Sequence, residues 1–366
     1  MTIARMRART HVMAPSQPRL SRYCLVATFA LGIAGCSSDP LAIRTCDAEL
    51  NGACWTHLGL GGDEVRSLVL TKSSLYAGAW AGGVLRYRPE EGGWFSVGPR
   101  LPQVMAMLYV PGNPPRLLAA LYRSGPTGEA SLYATEDEET WVPSDQGLNP
   151  PGVYRSVQSL ASDPFDPMRL YMGTDFPVLR SDNGGRDWHY VWGSSDTFGH
   201  GVFSVVASPH ARGRLWVALE DGAEGEALLR SEDGGESWRY VTPPLRSPYA
   251  AVTSVAEDPR QPNRIWAATG SGVFLSDHAG SAWTPVFPEF VNHIAFVGER
   301  VFAAGFTVSG ITDTRLRLFV GTLEGTNWEE LQVPEGVPRV GAMIGDDRGR
   351  LIVGTWGDGV WVVNFR

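Results

Sequence analysis

Three stretches of this chain, 159–188, 204–238 and 254–283, repeat one another, and further copies recur along the body at intervals of about 40 residues. Each copy has the same order. An apolar strand leads to a turn of Pro, Asp and Arg; an apolar-aromatic strand and a glycine-rich loop follow; a third strand then runs into a tight turn that ends in tryptophan. A period of this length marks a repeat architecture, in which one unit cannot bury its apolar faces alone and stacks on its neighbours. The apolar runs are short, bounded by turn residues and without helical periodicity, so the chain reads as all-β. Its 43 glycines and 13 tryptophans fit that reading. Glycine supplies backbone freedom in turns, and tryptophan supplies a large apolar area between strands.

The tight turn is best preserved at Ser231, Glu232, Asp233, Gly234, Gly235, Glu236, Ser237 and Trp238. A second copy keeps Ser181, Gly185 and Trp188, with Asn183 in place of the aspartate. A third keeps Ser276, Gly280 and Trp283, with His278 at the acid position. Weaker copies end at Trp94, Trp141 and Trp328, with Glu136 as the acid of the Trp141 copy. A short acid or amide accepts backbone N–H bonds across such a turn, and glycine permits the positive φ. This turn resembles the Asp-box, Ser-x-Asp-x-Gly-x-Thr-Trp, of sialidases, sortilin-type receptors, xyloglucanases and a photosystem assembly factor. The resemblance implies a single β-propeller of about seven four-stranded blades, with six to eight compatible with the spacing. It also implies that the box lies between the third and fourth strands of a blade, away from the active face, so the box residues are read as turn fasteners.

The blades start near Val65, Val104, Ser156, Val202, Val252, Val291 and Val340. The last copy stops before its box and fourth strand. Trp55, Thr56, His57 and Leu58 match the strand that follows the box elsewhere, so the N-terminal strand is expected to complete the last blade and remove a free edge.

In a propeller, the loops between second and third strands share one face with the inter-blade loops. That face carries Trp80, Tyr122, Arg123, Asp175, Glu220, Asp221, Trp356 and Asp358 from the middle loops, and Tyr154, Arg155 and His293 from the inter-blade loops. This mixture suits a sugar or a peptide. The long middle loops 122–131, 220–226 and 306–315 are the ones most suited to carry function.

Residues 1–35 read as a lipoprotein signal peptide. Five arginines without an acid precede a short apolar run, and Ile33, Ala34 and Gly35 lead into Cys36. This resembles the bacterial lipobox, which implies acylation of Cys36, with 36–53 as a lipidated tether and 54–366 as the propeller. Ser37 in place of aspartate implies the outer membrane. Cys46 and Cys54, eight residues apart in an exported chain, are expected to form a disulfide. Without the leader, 26 basic residues face 39 acidic ones, a balance of −13 that argues against nucleic acid and anionic lipid. The expected partners are therefore an envelope protein or glycan, with the bilayer reached only through acylated Cys36. Seven scattered histidines give no metal spacing, and no cofactor motif occurs. Three functions fit: a non-catalytic binding or scaffolding lipoprotein, a glycoside hydrolase using a carboxyl pair drawn from Asp175, Glu220, Asp221 and Asp358, and a purely structural envelope protein, against which the long middle loops argue. Neither the Arg-Ile-Pro motif of sialidases nor room for the tandem propellers of xyloglucanases is present.

Overall fold

The computed structural model describes residues 6–7, 39–43, 45–98, 101, 103–122, 130–148, 156–193, 201–220, 226–245, 251–309 and 313–365. Among them every regular element is a β-strand, and the strands form six antiparallel sheets. The sheet that starts at Val157–Asp163 continues through Asp166–Thr174, Val178–Ser181 and His189–Trp192. Equivalent four-stranded sheets start at Val202–Ala207, Val252–Glu257 and His293–Val297. The sheet that starts at Val104–Val110 has a fifth strand, Met6–Arg7, paired to its outer strand Thr140–Pro143. Consecutive strands pair as neighbours within each sheet, which short turns allow.

The sixth sheet joins the two ends of the described body. Val340–Gly345 pairs with Arg350–Phe365, which pairs with Ala53–Leu70, and Leu75–Ala79, Gly83–Arg88 and Gly93–Ser96 follow. Trp361, Val362 and Val363 lie opposite His57, Thr56 and Trp55. Elsewhere the strand after the box pairs in the same way, as Leu229 and Arg230 do with Tyr240 and Arg239. The first strand of each repeat packs on that of the next, from 65–70 round to Val340–Gly345, which packs again on Ala53–Leu70.

One packing rule holds these inner strands. Two residues before Trp80, Asp175 and Trp356 the second strand carries a glycine, and a valine that opens the neighbouring repeat fills the space. A Cβ at Gly78 would stand 2.6 Å from Val104, one at Gly173 2.4 Å from Val202, and one at Gly354 2.5 Å from Val65. Interiors packed this tightly do not absorb even one extra methyl group freely. The third of these contacts joins the C-terminal to the N-terminal part of the chain, and it is built like the others.

The box turns show why the repeat is conserved within the chain. Ser231 Oγ accepts the Gly235 N–H at 2.9 Å and the Asp233 N–H at 3.2 Å, and donates to Asp233 Oδ1. Asp233 in turn accepts the Ser237 N–H at 2.9 Å and the Ser237 hydroxyl. Asn183 replaces it by accepting the N–H groups of Arg186 and Asp187, both at 3.0 Å. In the third copy, the Ser276 bonds to Gly280 and His278 remain. Gly185, Gly235 and Gly280 have φ between 79° and 96°, a region closed to most side chains. The tryptophans then reach across to the preceding repeat. The indole N–H donates to Ser144 O from Trp188, to Val191 O from Trp238, to Val241 O from Trp283 and to Leu58 O from Trp94.

Three expectations need correction. The acid of the Trp141 copy is Asp137, not Glu136: its Oδ1 accepts the N–H groups of Glu139 and Thr140 at 2.9 and 2.7 Å. That turn is one residue shorter, so counting back from the tryptophan misplaces the acid. Glu136 instead pairs with Arg186 at 3.1 Å. Residues 306–309 and 313–315 are strand and not loop, because Phe306, Thr307, Val308 and Ser309 pair with Leu316, Arg315, Thr314 and Asp313. Their β-branched and aromatic composition favours the extended hairpin. The first strand there opens at His293, not Val291. A disulfide joins Cys46 to Cys54, with Cα atoms 5.5 Å apart.

Candidate functional site

Six of the inner strands carry a β-bulge at the same place, the residue after the opening valine: Arg66, Met105, Gln158, Phe203, Thr253 and Gly341. A bulge adds one residue to one strand and re-aims its side chain. All six residues line a single cavity of about 600 Å³, with Asn292 and His293 supplying the remaining sector. The repeat thus spends its regularity on the backbone and leaves the lining varied. One layer deeper, serines clasp the strands: Ser67 Oγ accepts the Met107 N–H at 2.9 Å, and Ser159 Oγ the Val205 N–H at 3.1 Å.

Five expected ligand-face residues occupy one equivalent backbone position. The N–H of Trp80 donates to Glu64 O, Tyr122 to Gln103 O, Asp175 to Ser156 O, Glu220 to Gly201 O and Trp356 to Arg339 O, at 2.7 to 3.0 Å. Each bond ties the end of a second strand to the residues just ahead of an inner strand, so both sets of segments share one rim. Arg123, Tyr154, Arg155 and Asp221, like Cys36, lie outside the described residues.

The structure draws Trp80, Tyr122 and Trp356 into one row. The Tyr122 and Trp80 rings are 5.4 Å apart. The Arg66 guanidinium lies 4.9 Å from the Trp80 ring and 3.4 Å from the Trp356 ring, and that of Arg339 lies 3.1 Å from Trp356. Two guanidinium groups this near one ring centre cannot share a face, so they flank the indole. Arg339 also approaches Phe306 at 5.5 Å, and Phe306 meets Phe290 at 5.1 Å. Cation–π contacts of this kind contribute roughly 0.5–2 kcal/mol each, more as water is excluded. Arg66 is held by Glu64 at 2.6 Å, whereas Arg339 makes no ion pair among the described residues. Burial lowers the pKa of both arginines, and the like charge of Arg66 lowers that of Arg339 further. Phe203 and Phe290, each 39 % exposed, add uncovered apolar surface to the same mouth.

The remaining candidates are more constrained. The Asp358 carboxylate accepts the Trp361 indole N–H at 3.0 Å, and its carbonyl accepts a bond from His57 Nε2 at 2.8 Å. Asp358 therefore supports the turn beside the mouth. His293 lines the cavity with Nε2 donating to Gly341 O at 3.2 Å, which leaves Nδ1 as a buried acceptor without a partner among the described residues. Burial pulls its pKa down to about 4, so the ring is neutral at pH 7.

Sequence reasoning missed Arg66, Arg339, Glu64, Phe290 and the bulge positions. A signal existed for two of them. Arg66 follows the opening valine and Arg339 precedes it, and these are repeated positions holding unrepeated residues.

No family model matches this chain, and no curated protein does. Solved structures do. The extracellular domain of the one-component system BT4673 from B. thetaiotaomicron matches with a TM-score of 0.63 at 13 % identity, over 86 % of this chain and 40 % of that one. The GH74 enzyme of Niastella koreensis matches with a TM-score of 0.59 at 16 % identity, over 84 % and 53 %. The WD40 β-propeller domain of Doa1 matches with a TM-score of 0.59 at 12 % identity, over 87 % and 97 %. The chain spans about half or less of the first two proteins. The fold these likenesses define is a β-propeller.

Proposed function

We propose that this protein is an envelope-anchored, non-catalytic binding or scaffolding lipoprotein whose channel mouth takes a glycan or a protein segment. The observation that carries the reading is the row from Tyr122 through Trp80, Arg66, Trp356 and Arg339 to Phe306, a half-buried aromatic and cationic surface at the mouth of a rigid ring. Seven blades are proposed, supported by seven inner strands around one cavity and by Ala53–Leu70 serving both as the outer strand of the last blade and as the inner strand of the first. The leader ending at Cys36 supports export and acylation. The extracellular domain of a one-component system and a GH74 enzyme share the fold, which fits a role outside the cytoplasm without choosing between binding and catalysis.

Hydrolysis is the second reading. It needs two carboxyl groups set across a bond. The described cavity lining contains no Asp or Glu, Glu64 is engaged by Arg66, and Asp358 by Trp361. These observations favour binding. The test is capture from solubilised envelopes and on a glycan array, comparing wild type with a Trp80→Ala, Trp356→Ala double variant. A ligand retained by wild type and lost by the variant supports the reading. Identical capture by both defeats it, and release of reducing sugar by wild type favours the hydrolase.

A further inference from the structure

We infer that the turn rim opposite the channel mouth is the membrane-facing surface of this protein, and that the segment after Cys36 is fastened there so that the mouth points away from the bilayer. The inference rests on the lipid anchor proposed above.

The fastening begins three residues past Cys36. Both carboxylate oxygens of Asp39 accept from Arg350 at 2.8 Å, and Arg350 also binds Asp346 at 2.6 Å. The Arg350 side chain is only 7 % exposed, so this is a seated ion pair and not a solvated one. Leu41 is 1 % exposed and packs among Leu58, Leu68, Leu75, Ile352 and Val360. The next contacts follow at once: Thr56 Oγ1 donates to Thr45 O at 2.8 Å, and the Cys46–Cys54 bond closes the hairpin. What composition alone presents as a linker is therefore a strap.

The strap sits on a defined side. Asp346 and Arg350 bracket the turn at the far end of Val340–Gly345, whereas Arg339 and Trp356 stand at its mouth end. Six extended residues separate the two rims by about 20 Å. Three residues of chain reach at most about 11 Å, so an acylated Cys36 keeps the strapped rim beside the bilayer. A separate feature of that rim agrees. Phe165, 39 % exposed, lies in the turn between Val157–Asp163 and Asp166–Thr174, and Met168, 42 % exposed, lies in the first residues of the second strand, with Arg212 stacked 5.5 Å from Phe165. An aromatic, a thioether and a long cation on one edge suit the headgroup boundary.

The experiment uses the full lipidated protein in vesicles. With Cys36 acylated and Cys46 bonded to Cys54, an introduced cysteine is the only free thiol of the processed chain. Asp347→Cys marks the strapped rim and Gly270→Cys the mouth side; each is labelled with an environment-sensitive dye and challenged with nitroxide-bearing lipid. The expected result is quenching at position 347 and none at position 270. An Asp39→Asn, Leu41→Ala background is expected to erase that difference while the protein stays on the vesicles. Equal or reversed quenching in wild type overturns the inference and leaves the anchor standing. Failure of the processed protein to join the vesicles overturns the anchor, and the inference with it.

Discussion

The two rims of the ring are built by opposite strategies. At the box rim the same serine, glycine and tryptophan recur in three copies, and the bond from the glycine N–H to the serine Oγ recurs with them. At the mouth the backbone recurs, through the same bulge and the same N–H bond, while the side chains differ from repeat to repeat. Regularity at one rim secures the scaffold; irregularity at the other is where the proposed ligand would be discriminated. What repeats most plainly in such a chain is thus the part least involved in recognition.

This contrast can be broken by substitution. The largest effect is expected at Trp55, which is fully buried where the chain's two ends pair. Trp55→Ala should cost about 3–5 kcal/mol in chemical denaturation; a cost near zero would mean that the N-terminal strand does not hold the ring. His293 comes next. Its folded pKa of about 4 lies below the unfolded value, so its contribution is present above about pH 6.5 and is lost as pH falls towards 4. Because part of the ring faces the channel, that loss should be no more than about 3 kcal/mol, and His293→Gln should flatten the acid limb of the stability curve.

Ser231→Ala removes the acceptor for two N–H groups of a buried turn and should cost about 1–3 kcal/mol, with ligand capture unchanged. Trp356→Ala inverts that pattern, with capture lost and stability changed by less than about 1.5 kcal/mol. If both variants lost stability and binding together, the division between rims would be wrong. The smallest effect is at Asp233, whose pKa is held down to about 2, first by the Ser237 hydroxyl bond. Its contribution is present above about pH 4 and fades as pH falls through 2, so Asp233→Asn should reduce the stability lost across that interval.

The same division explains what was legible in the sequence. The strand order, the box and the pairing of residues 55–57 with the C-terminal strand all leave local signatures: apolar runs, turn residues and a tryptophan at a fixed offset. Trp80, Tyr122 and Trp356 were found because the register of the repeat places them at one loop position. Arg66 and Arg339 stand at repeated positions next to an opening valine, but that position alone does not reveal their stack on Trp356, which joins side chains from separate strands. The strands at 306–309 and 313–315 were not legible, because a glycine within a β-branched run suggests a loop until the pairing of 306–309 with 313–316 is seen.

The strap also sets how a pull would travel. A load entering ahead of Asp39 meets the Arg350 ion pair first, then crosses from Cys46 to Cys54 through the covalent bond, so the hairpin between them carries none of it. It next enters 54–59, a strand segment laid antiparallel along 360–364. Detaching that strand lengthwise requires its ladder of hydrogen bonds to fail together, not one after another from an end. The pull is thus taken up where the N-terminal strand pairs with 356–365.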